Sequence, residues 1–130
     1  MNRNNNYEER KLNPDDVVVL RKWRKGLVMT DLYGETFCLS DKKYDTEAIF
    51  ELIVNNTNMH YFKNGNRYLN LDLVKDVKTE IKPGADVFAV KALCENDHVE
   101  VFNCANEMET FALKKNILQR KADSEDALEI

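Results

Sequence analysis

The chain has 130 residues, 43% of them hydrophobic and 32% charged, with a formal net charge of −4. That length suits one domain with a real core, and no apolar run reaches the roughly 18–20 residues that span a bilayer. Residues 1–30 hold seven Lys/Arg against four Asp/Glu, so the body beyond them is acidic, which argues against wholesale wrapping of nucleic acid and leaves room for one local basic contact.

Residues 1–13 are polar and asparagine-rich and read as a flexible arm. The arm holds no hydrophobic segment suited to a signal peptide, so a cytoplasmic location is expected. The chain's two prolines then organise the reading. The stretch from Lys11 to Leu20, with Pro14, returns in outline from Glu80 to Val90, with Pro83. Each proline follows an aliphatic and a polar residue and precedes an acid and a β-branched run. Proline fixes φ and pushes its predecessor toward extended backbone, so each stretch predicts a turn feeding a strand.

Val17–Leu20 is the first predicted strand. Arg21, Lys22, Trp23, Arg24 and Lys25 follow, and Gly26 turns the chain. Leu27–Leu32 and Thr36–Leu39 read as a hairpin around Tyr33 and Gly34. Asp45 is placed to cap a helix over 46–55, with Glu47 near its positive end. Ala48, Ile49, Leu52 and Ile53 form its apolar stripe. So short a helix needs a sheet to pack on. Asn58–Lys63 and Asn66–Leu71 flank Asn64-Gly65, a strong hairpin signal. Leu73–Val77 is a strand or a helical turn. Val87–Cys94, a turn at Asn96-Asp97, His98–Asn103 and Thr110–Leu113 complete the predicted strands. Residues 119–130 read as a charged, frayed tail.

Residues 81–118 resemble the layout of a Src-homology-type small barrel: a Pro-Gly turn, three short strands and a closing helical turn at Lys114–Leu118. Together with the strands and helix above, this resemblance gives a mostly β (α+β) fold: a small antiparallel Src-homology-like barrel, or two half-barrels sharing one core, with one short packed helix near 46–55. The expected domain is 14–118, with an internal repeat relating 11–40 and 80–118. A small-barrel layout serves many functions and implies none.

The chemistry-bearing residues point away from catalysis. Three cysteines form no Cys-x-x-Cys pair, so free thiols in a reducing compartment are expected. A two-residue turn at Asn96-Asp97 pairs Cys94 with Val99 and puts His98, Phe102 and Cys104 on the opposite face, so no metal site is expected. His60 reads as a core histidine beside Phe62, Leu69 and Leu71. No nucleophile motif, paired acids or glycine-rich phosphate loop is legible, so neither an enzyme nor a cofactor is expected.

Two surfaces remain. Arg21, Lys22, Trp23, Arg24 and Lys25 join cations to an indole, although tryptophan is more often core than anchor. Met59, Tyr61 and Tyr68 fall on the face opposite His60 and Phe62, where two tyrosines stand outward as a sheet pair or as an anchor. The resulting expectation is a small non-enzymatic adaptor or regulator that binds a protein partner. The asparagine- and lysine-rich composition suits a phage or mobile-element factor acting on a host machine such as RNA polymerase or a nuclease. The alternative is a nucleic-acid-binding module using Arg21–Lys25 and exposed aromatics.

Overall fold

In the computed structural model, which describes residues 13–56 and 60–129, the chain first makes a short 3-10 turn at Pro14–Asp16. The expected arm, apart from Asn13, lies outside the described residues, as does Met59. The Asn13 side chain accepts the Asp15 N–H at 3.0 Å and holds that turn. From it the chain enters β1 (Val17–Trp23), β2 (Gly26–Asp31) and β3 (Thr36–Ser40). Helix α1 (Thr46–Asn56) follows, then β4 (Tyr61–Asn64) and β5 (Arg67–Asn70). These strands make a five-stranded antiparallel sheet in the order β3-β2-β1-β5-β4. A second sheet has three antiparallel strands, β6 (Val74–Lys82), β7 (Val87–Cys94) and β8 (Val99–Asn103). Helix α2 (Glu107–Glu129) ends the described chain.

The fold is mostly β with a short packed helix over 46–56, as the sequence implies. Both prolines open a 3-10 turn ahead of a strand, where a missing N–H removes no ladder bond. The two strands they lead to hold different places. β1 is central in the first sheet, and β7 is the middle strand of the second.

The sheets are not closed into a barrel. Thr110–Leu113, expected as the closing strand, is helical. Asn106 accepts the Glu109 N–H at 2.8 Å, and the Glu109 carboxylate reaches back to the Ala105 N–H at 3.3 Å, a reciprocal cap that starts α2. Thr110, Leu113, Ile117, Lys121 and Ser124 then recur at helical spacing on the covered face of α2, against β6 and β7. Residues 119–129, expected as a tail, continue this helix.

Two cores flank the first sheet. On one side Val18 and Leu69 meet Val77, Val90 and Phe102 of the second sheet and Ile117 of α2. On the other, Val17, Leu20, Leu27 and Met29 meet Phe50 and Ile53 of α1. Alternation sends Val17 and Val18 to opposite cores, and a bulge between Val17 and Val19 lets Leu20, three residues on, share the core of Val17. Asp45 caps α1 as predicted, accepting the Ala48 N–H at 3.1 Å. The buried stripe, however, is Ile49, Phe50, Ile53 and Val54, and Leu52 is 56% exposed. Turning α1 toward Phe50 buries an aromatic ring in place of Ala48 and Leu52.

Two hairpins differ from their predicted register. In β4–β5 the turn is Gly65-Asn66, with Gly65 at φ +64°, so Tyr61 pairs with Asn70 and Lys63 with Tyr68. Gly-first turns suit two-residue hairpins, and the faces of both strands stay as predicted. In β7–β8 the turn takes three residues, Glu95–Asp97, with Asn96 and Asp97 both at positive φ. The extra residue shifts the register by one and reverses the faces of β8. Phe102 is buried at 1%, while Val99 and Val101 are 43% and 40% exposed.

Candidate partner-binding face

Direct cross-strand partners share a face of a sheet. Arg21 lies opposite Val28, and Val28 opposite Cys38. One pair further along, Trp23 lies opposite Gly26, and Gly26 opposite Ser40. Arg21, Trp23, Val28 and Cys38 therefore stand on one face of β1, β2 and β3. Toward β4 and β5 this face is covered by the second sheet and α2; toward β3 it opens to solvent. Trp23 is 46% exposed and Cys38 is exposed. The expectation that Trp23 closes the core does not hold, because alternation along β1 assigns the core to Leu20 and sends Trp23 to the open side.

Lys22 goes the other way. Its ammonium sits 2.9 Å from Glu47 and 4.4 Å from the centre of the Phe50 ring. The hydrogen bond to Glu47 holds its pKa above the usual lysine range. The predicted basic cluster thus divides: Arg21 stands on the open face, Arg24 and Lys25 occupy the β1–β2 turn, and Lys22 fastens α1.

Gly26 shapes the open face. A Cβ built there lies 1.9 Å from the Leu39 carbonyl oxygen, and φ is +156°. Only glycine lets β2 and β3 approach this closely, and it leaves no side chain between Trp23 and Ser40. A cleft of about 290 Å³ lies on this side, lined by Trp23, Lys25, Cys38, Leu39, Asp41 and Lys42 among others. Arg21, Arg24, Lys25 and Lys42 make no ion pair among the described residues.

The second predicted surface is not outward. Tyr61 and Tyr68 stand on the opposite side of the first sheet, packed against the core under α1. The Tyr68 and Phe50 rings meet edge-on, with centroids 4.7 Å apart. The Tyr61 hydroxyl is buried with no hydrogen-bond partner among the described residues, and burial pushes its pKa well up. Both tyrosines also line a shallow cleft with Val54, Lys63 and Arg120. Trp23 and the tyrosines therefore form no common site.

The titratable clusters elsewhere hold the fold together. Arg67 on β5 donates to Glu100 on β8 at 2.8 Å and to the Val101 carbonyl at 3.0 Å, and its guanidinium lies 4.0 Å from the centre of the Phe102 ring. His98 Nε2 is 2.8 Å from the other Glu100 oxygen. His60, expected beside Leu69 and Leu71, is half-buried with Nδ1 3.2 Å from Asp72. The corrected β8 register overturns the predicted split of Cys94, His98 and Cys104 between two faces. Cys94 bonds His98 across the turn and Cys104 bonds Phe88, which gives all three one side. His98 and Cys104 still stand about 20 Å apart along the strand, and no metal-binding group of His, Cys, Asp or Glu occurs among the described residues. The three cysteines are free, and burial pushes the Cys94 thiol up to about 12. No described helix is long and apolar enough to cross a membrane.

Sequence reasoning missed Val28, Cys38 and the open side of β3. The signal was present: once Gly26 is placed opposite Trp23, counting along the hairpin brings Val28 and Cys38 beside Arg21. No family model matches the chain, and no curated protein or solved structure matches it.

Proposed function

We propose that the protein is a small non-enzymatic adaptor or regulator that binds a protein partner through the open face of β1, β2 and β3. The observation that carries this reading is Trp23, half exposed and lining a cleft beside β3. A tryptophan left 46% exposed on folding keeps nearly half of its surface for an interface, and Trp and Arg dominate binding energy where interfaces have been dissected. Both histidines, by contrast, are held by carboxylates at joints of the fold.

Cys38 lies on this face and offers a handle. A photo-crosslinker attached to its thiol, with Cys104→Ser to avoid double labelling, should capture a defined protein from lysate. Capture should persist at moderate salt and vanish in Trp23→Ala. Capture unaffected by Trp23→Ala rejects the assignment.

A second reading uses the same residues. Trp23 flanked by Arg21, Arg24 and Lys25 could stack on an exposed base while the cations hold phosphates. In that case binding falls steeply as salt rises, and Arg21→Ala with Lys25→Ala flattens the dependence.

A further inference from the structure

β3 is an outer strand of the first sheet. Its ladder with β2 is bracketed by two bonds of 3.0 Å, Asp31 N–H to Glu35 O and Asp41 N–H to Lys25 O. Bonded pairs alternate in an antiparallel ladder. Counting inward from both brackets, Phe37 and Leu39 bond to β2, and the main-chain groups of Thr36 and Cys38 point away from the sheet. Among the described residues nothing bonds to them.

Outer strands are ordinarily protected by charges, prolines or cover. β4 carries Lys63, and β6 carries Lys75, Lys78 and Lys82. On β8, Arg67 occupies the Val101 carbonyl. β3 runs Thr36, Phe37, Cys38, Leu39, Ser40 with no charge and no proline. An unprotected edge beside a half-exposed tryptophan is suited to strand addition, in which main-chain bonds supply affinity and alternate side chains supply specificity.

We infer that β3 accepts an extended, acidic segment of a partner protein as an added strand, with apolar residues at alternate positions. This deepens the protein-binding reading and rests on it. Alternate side chains of the added strand fall on the two faces of the sheet. One set lands beside Cys38 and Trp23; the other lands beside Phe37 and Leu39. Charge selects the occupant. Arg21, Arg24 and Lys25 flank one side, Lys42 and Lys43 follow β3, and none of the five has an ion pair among the described residues. Asp41 is the single acid lining the cleft. Acidic side chains on the incoming strand would neutralise this excess, and its main chain would satisfy Thr36 and Cys38. Nucleic acid would meet the cations and leave the main-chain groups of β3 unused.

The probe is a synthetic peptide of alternating glutamate and valine. Its controls are the same peptide with lysine for glutamate, and one N-methylated on alternate amides. The glutamate peptide should shift Trp23 emission to the blue and slow amide exchange at Thr36 and Cys38 by at least about tenfold. Phe37 and Leu39, already bonded to β2, should change little. N-methylation, lysine replacement and Cys38→Pro should each weaken binding by at least about tenfold; the proline removes an N–H that serves no internal bond. Should Cys38→Pro unfold the protein, the N-methylated peptide alone decides. Equal binding of the N-methylated or lysine peptide overturns the inference. So does concentration-dependent protection of Thr36 and Cys38 without peptide, which marks a second copy as the occupant. A single-stranded oligonucleotide that quenches Trp23 where the peptide does not also overturns it. Peptide binding that needs Trp23 but tolerates N-methylation removes the added strand and leaves the face assignment standing.

Discussion

Arg67 and Glu100 meet at 2.8 Å across the seam between the two sheets, with side chains only 21% and 14% exposed. The two residues are 33 apart in sequence; the Val101 carbonyl and the Phe102 ring also contact the guanidinium, whose Nε is buried with no hydrogen-bond partner among the described residues. A buried pair of this kind contributes little over an apolar substitute, but removing one partner strands the other charge. Arg67→Ala or Glu100→Ala should each cost about 3–5 kcal/mol in denaturant unfolding, and Arg67→Met with Glu100→Leu should cost less than either. Single variants close to wild type would show that the pair is solvated in solution.

Trp23 and the tyrosines exchange the roles assigned from sequence. Trp23→Ala should change stability by less than about 1 kcal/mol, as expected of a half-exposed position. Tyr68→Ala and Phe50→Ala should each cost about 2–5 kcal/mol, because both rings build the core under α1. Thermal melting of the three variants separates these values, and a large loss in Trp23→Ala would mean that the indole is packed.

Gly26→Ala should cost at least about 2 kcal/mol, since the new Cβ meets the Leu39 carbonyl and φ is positive. The damage should be local. Amide exchange should quicken first at Phe37 and Leu39, whose bonds to β2 depend on that close approach. Uniform loss of protection across both sheets would contradict a local opening.

The cysteines should separate by accessibility and by acidity. A thiol reagent should label Cys38 in the folded protein and Cys94 only on unfolding. Burial raises the Cys94 thiol from about 9 to about 12. Between those values the unfolded chain releases a proton that the folded chain keeps, so this group's contribution to stability is present below about 9 and lost as pH rises to about 12. Replacing Cys94 with Ala should flatten that part of the stability–pH curve. A slope unchanged by the replacement would exclude the thiol as its source.

What sequence made legible was local. Pro14 and Pro83 marked turns, Asp45 marked the start of α1, and alternation placed Phe62 and Leu69 on one face. Pairings set by loop length were not legible. One residue between Glu95 and Asp97 decided whether Val101 or Phe102 entered the core, and composition cannot count it. The Asn106-x-x-Glu109 cap did signal α2, but β-branched Thr110 and aromatic Phe111 read as strand until the 3–4 spacing of Thr110, Leu113 and Ile117 is followed to Ser124. For the candidate site, Trp23 and its neighbouring cations were legible only as a run of residues in the chain. Their division between two faces, and the open main-chain groups of β3, depended on the register of three strands.

β8 can be read in two frames. In one, Val99 and Val101 would lie inside and Glu100 and Phe102 outside, giving an ordinary alternating strand. In the frame adopted, an acid goes inward beside the phenylalanine. Arg67 offsets that cost from another sheet, and His98 assists from the residue just ahead of β8. A distant arginine thus supports the frame that the three-residue turn sets. Shortening the turn by one residue together with Arg67→Met should tip the choice, turning the outer valines inward while the rest of the architecture stays in place.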